Sequence, residues 1–169
     1  MAGRKGEASL ADWLQQATEG LSALPAHETV RDVLWIVPAS QTVHILAVSV
    51  VFSGSLVIAL RALGLAGTHW TLGRWHRRLS LWTGVSLLLL LLSGAVLVLA
   101  EPERELLNSF FQIKIPLVVA TALLSYGLAR QFGRNGDRRV SLGVKLGAVL
   151  VFALWAIIMG LGRWIAYAG

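Results

Sequence analysis

Four long apolar runs, separated by short charged stretches, dominate the pattern of this chain. Residues 41–60 and 79–100 contain no Asp, Glu, Lys or Arg, while 110–129 carries only Lys114 and 140–162 only Lys145. At about 1.5 Å of rise per residue, runs of this length match a hydrocarbon core about 30 Å thick. Backbone amides in lipid have to be paired internally, so the runs predict helices, and the absence of strand alternation excludes a barrel. The expected fold is an all-α membrane protein, a four-transmembrane-helix bundle with spans at about 41–62, 79–100, 109–131 and 140–163. Both lysines lie about a turn inside a helix end, from which a long side chain reaches the headgroups.

The first forty residues have a different rhythm. Leu10, Trp13, Leu14, Ala17, Leu21 and Leu24 recur at three- and four-residue spacing and so share one helical face. Ser9 and Asp12 have the spacing of a capping box, and Pro25 is expected to end the helix. A second short segment, 29–37, has Thr29 as its cap and stops before Pro38. Arg4 and Lys5 resemble the start of a signal peptide, but Glu7, Asp12, Gln15, Gln16 and Glu19 break the apolar stretch that a signal peptide requires. The chain thus divides into an amphipathic exterior segment, 1–38, and the bundle, 39–169. The exterior helix is suited to lie in the interface or to dock a partner.

Composition narrows the function classes. Of 169 residues, 56% are hydrophobic and 14% charged, which excludes a water-soluble globule and a disordered chain. With no cysteine there are no disulfides, thiolate metal sites, thiol nucleophiles or Cys-x-x-Cys-His haem attachment. The net charge of +6 does not indicate nucleic acid, because the basic residues lie between the apolar runs. Arg61, Arg74, Arg77, Arg78, Arg130, Arg134, Arg138, Arg139 and Lys145 occupy the two loops of one face with only Asp137, a net of +8 against −2 on the other face. Cytoplasmic loops retain Lys and Arg, so a bacterial inner-membrane protein with both termini periplasmic is expected. Ser49 with Ser53, and Gly143 with Gly147, let helices approach closely, in a compact bundle or a homo-oligomer.

A polar side chain inside lipid is a functional hypothesis by default. His44 lies one to two turns into the first span, and Lys114 reaches a comparable depth in the third. Arg31, Trp35 and Asn108 fall at the same face. Topology alone brings Arg31, His44, Asn108 and Lys114 to one level of the bilayer. Each also has a plain structural role: His44 bonding a neighbouring helix, Lys114 snorkelling, Arg31 pairing with Glu28 or Asp32, Asn108 capping the third span. His69 and His76, among Trp70, Trp75 and Trp82, read as an aromatic belt with lipid-headgroup contacts. His76 lies some 25 Å from His44 by helical rise, which excludes a haem ligated by both. His27 approaches His44 only if the exterior helix folds over the bundle, and Met159 is a soft ligand or core filler. Phosphate-binding glycine loops, nucleophile elbows, His-Glu-x-x-His pairs and buried membrane carboxylates are all absent from the sequence.

A family pattern joins these residues. Arg31-Asp32-Val33-Leu34-Trp35-Ile36-Val37-Pro38, Gln41-Thr42-Val43-His44 and Leu60-Arg61-Ala62-Leu63-Gly64-Leu65 resemble a family of bacterial four-span membrane proteins without an assigned function. Ser93-Gly94 resembles its Thr-Gly position, and Glu101-Pro102, Asn108, Phe111 and Lys114 its exterior loop and third span. The resemblance covers about residues 10–130, with one departure: Ala59 stands where the family typically has Asp. A histidine opening the first span and a lysine opening a later one are also similar to copper-resistance D-type membrane proteins and to membrane-embedded protoporphyrinogen oxidases that bind haem b. That similarity implies His44 as an axial haem ligand and Lys114 as the contact for a propionate or anionic substrate. The expectation is a redox ligand, haem b before quinone, in the exterior half of the bundle, as in an electron-transfer subunit. A membrane scaffold anchoring a periplasmic or membrane partner is the competing class. Copper passage is third, since one accessible His, two Met and no Cys make a poor relay for a soft metal.

Overall fold

The computed structural model describes residues 2–134 and 140–168, with side chains described for 12–132 and 140–163. Arg4, Lys5, Glu7, Ser9, Leu10 and Arg134 as side chains, and Asp137, Arg138 and Arg139 altogether, lie outside the described residues. Among the described residues seven helices occur in order: α1 Ala2–Ser22, α2 Pro25–Asp32, α3 Ile36–Leu63, α4 Leu72–Ala100, α5 Pro102–Leu106, α6 Ser109–Arg134 and α7 Leu142–Ala168. Among them α3, α4, α6 and α7 are long and apolar enough to cross a membrane. This is a multi-pass membrane protein built as a four-helix bundle.

Local sequence explains where the helices start and stop, and corrects three expectations. α1 begins at Ala2, well before Ser9, so the Ser9–Asp12 spacing does not open a helix. Pro25 starts a helix as well as ending one: it occupies the first turn of α2, where a missing amide N–H costs nothing. Thr29 is consequently inside α2, its hydroxyl donating to the Pro25 carbonyl rather than capping. Pro38 likewise lies in the first turn of α3, so that helix starts at Ile36 and runs without a break through the expected boundary at 38. α4 starts seven residues before its apolar run, with the Thr71 hydroxyl accepting from the Arg74 amide at 3.0 Å. Gly64, at φ +81°, ends α3 in the left-handed conformation that glycine adopts without steric cost.

The bundle is sewn by a seven-residue seam. On α4, Leu72, Ser86, Ser93 and Ala100 are buried at multiples of seven. On α7, Val144, Ala148, Val151, Trp155 and Ile158 are buried at alternating spacings of four and three. α3 contributes Ala47, Val51 and Gly54 in the same rhythm, and α6 contributes Thr121 and Leu128. A period of 3.5 keeps one stripe facing inward when helices cross at about 20°. Trp155, 4% exposed, is the largest side chain of the seam, packed with Val51, Leu128, Val151 and Ile158. Ala59, Ala62, Leu72, Val144 and Ala148 close the basic end, so Ala59 sits in an apolar contact where a carboxylate would be buried. Small seam residues allow α3 to pack closely along α4 and also against α7, while α6 leans on α7. α4 and α6 touch only slightly, which leaves the fourth side of the bundle thinly closed. Outward positions such as Leu91, 70% exposed, present the apolar surface that lipid covers.

The exterior segment is pinned to this frame. His27 is buried and its Nδ1 donates to the carbonyl of Leu99 at 2.7 Å, tying α2 to the end of α4. α1 packs on α5, so these two elements cap the face of the bundle where α3 begins and α7 ends, called here the N-terminal face. Trp13 and Leu24 remain exposed, whereas Leu14, Ala17 and Leu21 are half-buried. The stripe read from the sequence is therefore only partly used against the bundle.

Candidate functional site

At the N-terminal face the seam acquires an imidazole and an ammonium. Seven residues beyond Val51 on α3 is His44; beyond Ser86 on α4 is Ser93; beyond Thr121 on α6 is Lys114; beyond Trp155 on α7 is Gly162. Seven residues are about two helical turns and return to nearly the same face. Each of these four thus continues an inward-facing line whose inner member is buried. Their contacts agree. A Cβ built on Gly162 would stand 3.5 Å from Lys114 Nζ, so the ammonium rests against the α7 backbone. A Cβ on Gly94 would stand 3.6 Å from His44 Cε1, so the imidazole lies along α4 at Ser93-Gly94.

The hydrogen bonds of His44 fix its chemistry. Its Nδ1 is 2.9 Å from Ser93 Oγ, and Ser93 Oγ in turn donates to the Leu89 carbonyl. A hydroxyl has one proton, and here that proton is spent on a backbone oxygen. Ser93 must therefore accept, so His44 donates from Nδ1, and in the neutral ring Nε2 carries the lone pair. Among the described residues Nε2 has no hydrogen-bond partner, and no buried polar side-chain atom is left unpaired, so Nε2 is accessible. Locking one ring nitrogen with a donor bond is how proteins prepare the other as a ligand or proton acceptor.

Lys114 supplies the charge beside it. The ammonium is close enough to act electrostatically on His44. It makes no ion pair or hydrogen bond among the described residues. Its nearest counter-charge is Glu105 on α5. Burial holds the Glu105 carboxyl above the usual carboxylate range; Lys114 and Arg104 pull it down, and Glu101 pushes it up. Pro116, inside α6, lacks the N–H that would bond the Gln112 carbonyl, so the turn that carries Lys114 has one backbone hydrogen bond fewer.

The other residues expected at this face do different work. Asn108 caps α6, its side-chain oxygen accepting from the Phe110 amide at 2.9 Å. Trp35 is 69% exposed just before α3. Arg31 is exposed and lines a separate groove of about 270 Å3 with Val33, Leu34, Val37, Ala100 and Glu101. No hydrogen bond, ion pair or ring contact among the described residues joins these three to His44 or Lys114. His27 is committed to Leu99, and Met159 is 39% exposed beside the buried Ile158. Gly94 stands eighteen residues from His76 along α4, about 27 Å of rise, so the two histidines are at opposite ends. Among the described residues no three His, Cys, Asp or Glu side chains gather around one point. Sequence reasoning missed Gly162 and Glu105 as neighbours of Lys114; the seven-residue spacing from Trp155 was the available signal for Gly162.

In comparisons with protein-family models, curated proteins and solved structures, nothing matches this chain. The functional reading therefore rests on geometry.

Proposed function

We propose that the chain binds a redox-active ligand, haem b, at the N-terminal end of its bundle, and that this face is the periplasmic side of a bacterial inner membrane. The observation that carries the proposal is the accessible lone pair of His44 Nε2, set by the spent hydroxyl of Ser93. The donor set fits an iron porphyrin: a neutral imidazole for the metal and an ammonium for a propionate. Among the described residues His44 is the one that would hold the iron, since His27 is engaged elsewhere and Met159 is 39% exposed. Haem bound there would supply one-electron transfer. Ser93 orients the imidazole, Lys114 holds a carboxylate at the bundle mouth, and Glu105 tempers the ammonium's charge. The excess of basic residues on the opposite face supports the orientation.

The thin contact between α4 and α6 favours a quinol as the second reading. A lipophilic ring reaches His44 from the bilayer through that side, and Nε2 accepts a hydroxyl proton while Lys114 stabilises the resulting oxyanion.

An optical spectrum of the detergent-purified protein, before and after adding haem, tests the choice. The expected result is a Soret band of five-coordinate, high-spin type that His44→Ala abolishes and Met159→Leu leaves unchanged. Wild-type protein that stays colourless with added haem overturns the haem assignment. Retention of a lipid-extractable quinone that His44→Ala releases would then establish the second reading.

A further inference from the structure

At the opposite, basic end of the bundle, one indole gathers two cations. Trp70 lies in the α3–α4 loop, and the guanidinium carbons of Arg74 and Arg78 stand 5.6 and 5.2 Å from its ring centroid. Residues four apart share a helix face, so the two like charges sit side by side over the same ring. The ring is held in place. Arg61 Nε donates to the Trp70 carbonyl at 2.6 Å. Trp75 packs on the indole with centroids 5.0 Å apart, and His69 with centroids 5.3 Å apart. Trp75 is anchored by its Nε1 donating to the Gly67 carbonyl at 2.9 Å. Gly67, at φ +65°, lets that indole in, since a Cβ there would stand 3.0 Å from the ring nitrogen.

Among the described residues this cluster holds no negative charge. No Asp or Glu occurs between Asp32 and Glu101, and neither Arg74 nor Arg78 has an ion-pair partner among the described residues. Both belong to the first two turns of α4, where the helix dipole adds to the positive potential instead of offsetting it. Two guanidiniums pressed together against that potential call for an anion. Stacking occupies one face of each guanidinium and leaves its N–H edge for the paired oxygens of a phosphate. The next turns, with exposed Leu81 and Trp82, turn apolar, so the anion sits where hydrocarbon begins.

We propose that Arg74, Arg78 and Trp70 form a binding site for the headgroup phosphate of an anionic phospholipid, with its acyl chains beside Leu81 and Trp82. The site is independent of the ligand assigned to His44. General attraction of basic loops to a charged leaflet does not need two guanidiniums aligned on one ring; a site does.

Tryptophan quenching by brominated lipids tests it, using the full chain in phosphatidylcholine vesicles into which brominated phosphatidylglycerol or brominated phosphatidylcholine is titrated. Wild-type protein is expected to prefer phosphatidylglycerol, with a loss of about fivefold in relative affinity for Arg78→Gln. The loss should exceed about tenfold for Arg74→Gln with Arg78→Gln. Arg130→Gln removes one charge from a guanidinium that instead lies over Tyr126, and should leave the preference unchanged. Equal preference in wild type and the double variant overturns the site, as does an Arg130→Gln effect as large as Arg78→Gln. Competition by millimolar inorganic phosphate as strong as by phosphatidylglycerol also overturns it, in favour of a free anion. Far-ultraviolet dichroism of each variant confirms that helicity is retained.

Discussion

The two ends of the bundle handle polar groups in opposite ways. At the basic end Arg74, Arg78 and Arg130 turn outward onto aromatic rings, and Arg61 spends its Nε on a backbone carbonyl. At the N-terminal end His44 and Lys114 turn inward along the seam, and each keeps a reactive atom without a protein partner among the described residues. Both ends are rich in residues that sequence reading flags. The difference teaches that a site is marked less by the presence of polar side chains than by inward direction combined with unspent bonding capacity.

The largest effect tests whether the seam is the core at all. Trp155→Ala should cost about 3–5 kcal/mol, whereas Met159→Ala, one turn away on the exposed side, should cost far less. Reversible unfolding in mixed micelles measures both, and similar losses would dissolve the distinction between inward and outward faces.

Ser93→Ala comes next. It strands the Nδ1 proton of His44 inside the bundle, at about 1–3 kcal/mol, and lets the imidazole rotate. The outward counterpart, Arg78→Gln, should stay within about 0.5 kcal/mol. A third, smaller effect concerns the exterior segment. His27→Phe keeps the bulk but removes the bond to Leu99, costing about 1 kcal/mol. Faster proteolysis in the α1–α2 segment, with the four spans intact, is the expected readout.

The smallest effect is a titration. Burial raises Glu105, so the folded chain holds that proton more tightly than the unfolded chain does. Stability is therefore highest at acid pH and declines as pH rises from the ordinary carboxylate range through the raised value. Lys114→Gln removes a stabilising cation and moves this window to higher pH, and Glu105→Gln abolishes its slope. Unfolding free energy measured against pH in wild type and both variants shows whether the pair is coupled.

Much of this was legible in the residues themselves. Long uncharged runs have one physical solution in lipid, so the four spans needed no further information. Their ends were less clear because proline has two meanings: Pro25 and Pro38 punctuate a pattern, yet both open helices whose first amides need no partner. His44 and Lys114 were identifiable because burying such groups is costly. Arg31 and Asn108 shared their depth, and Trp35 their face, but not their direction, and depth is all that span counting provides. Direction was written in the spacing from Val51 and Thr121, while the locking role of Ser93 required knowing where its proton goes.

The proposed site depends most directly on that proton. Nitrogen-15 NMR of histidine-labelled protein at mildly alkaline pH, assigned through His44→Gln, reports the tautomer of the ring. The expected spectrum shows a protonated Nδ1 and a bare Nε2 for His44, with Ser93→Ala redistributing the proton. A His44 protonated at Nε2 in the wild type would contradict the site, because the accessible nitrogen would then be a donor with no lone pair to offer.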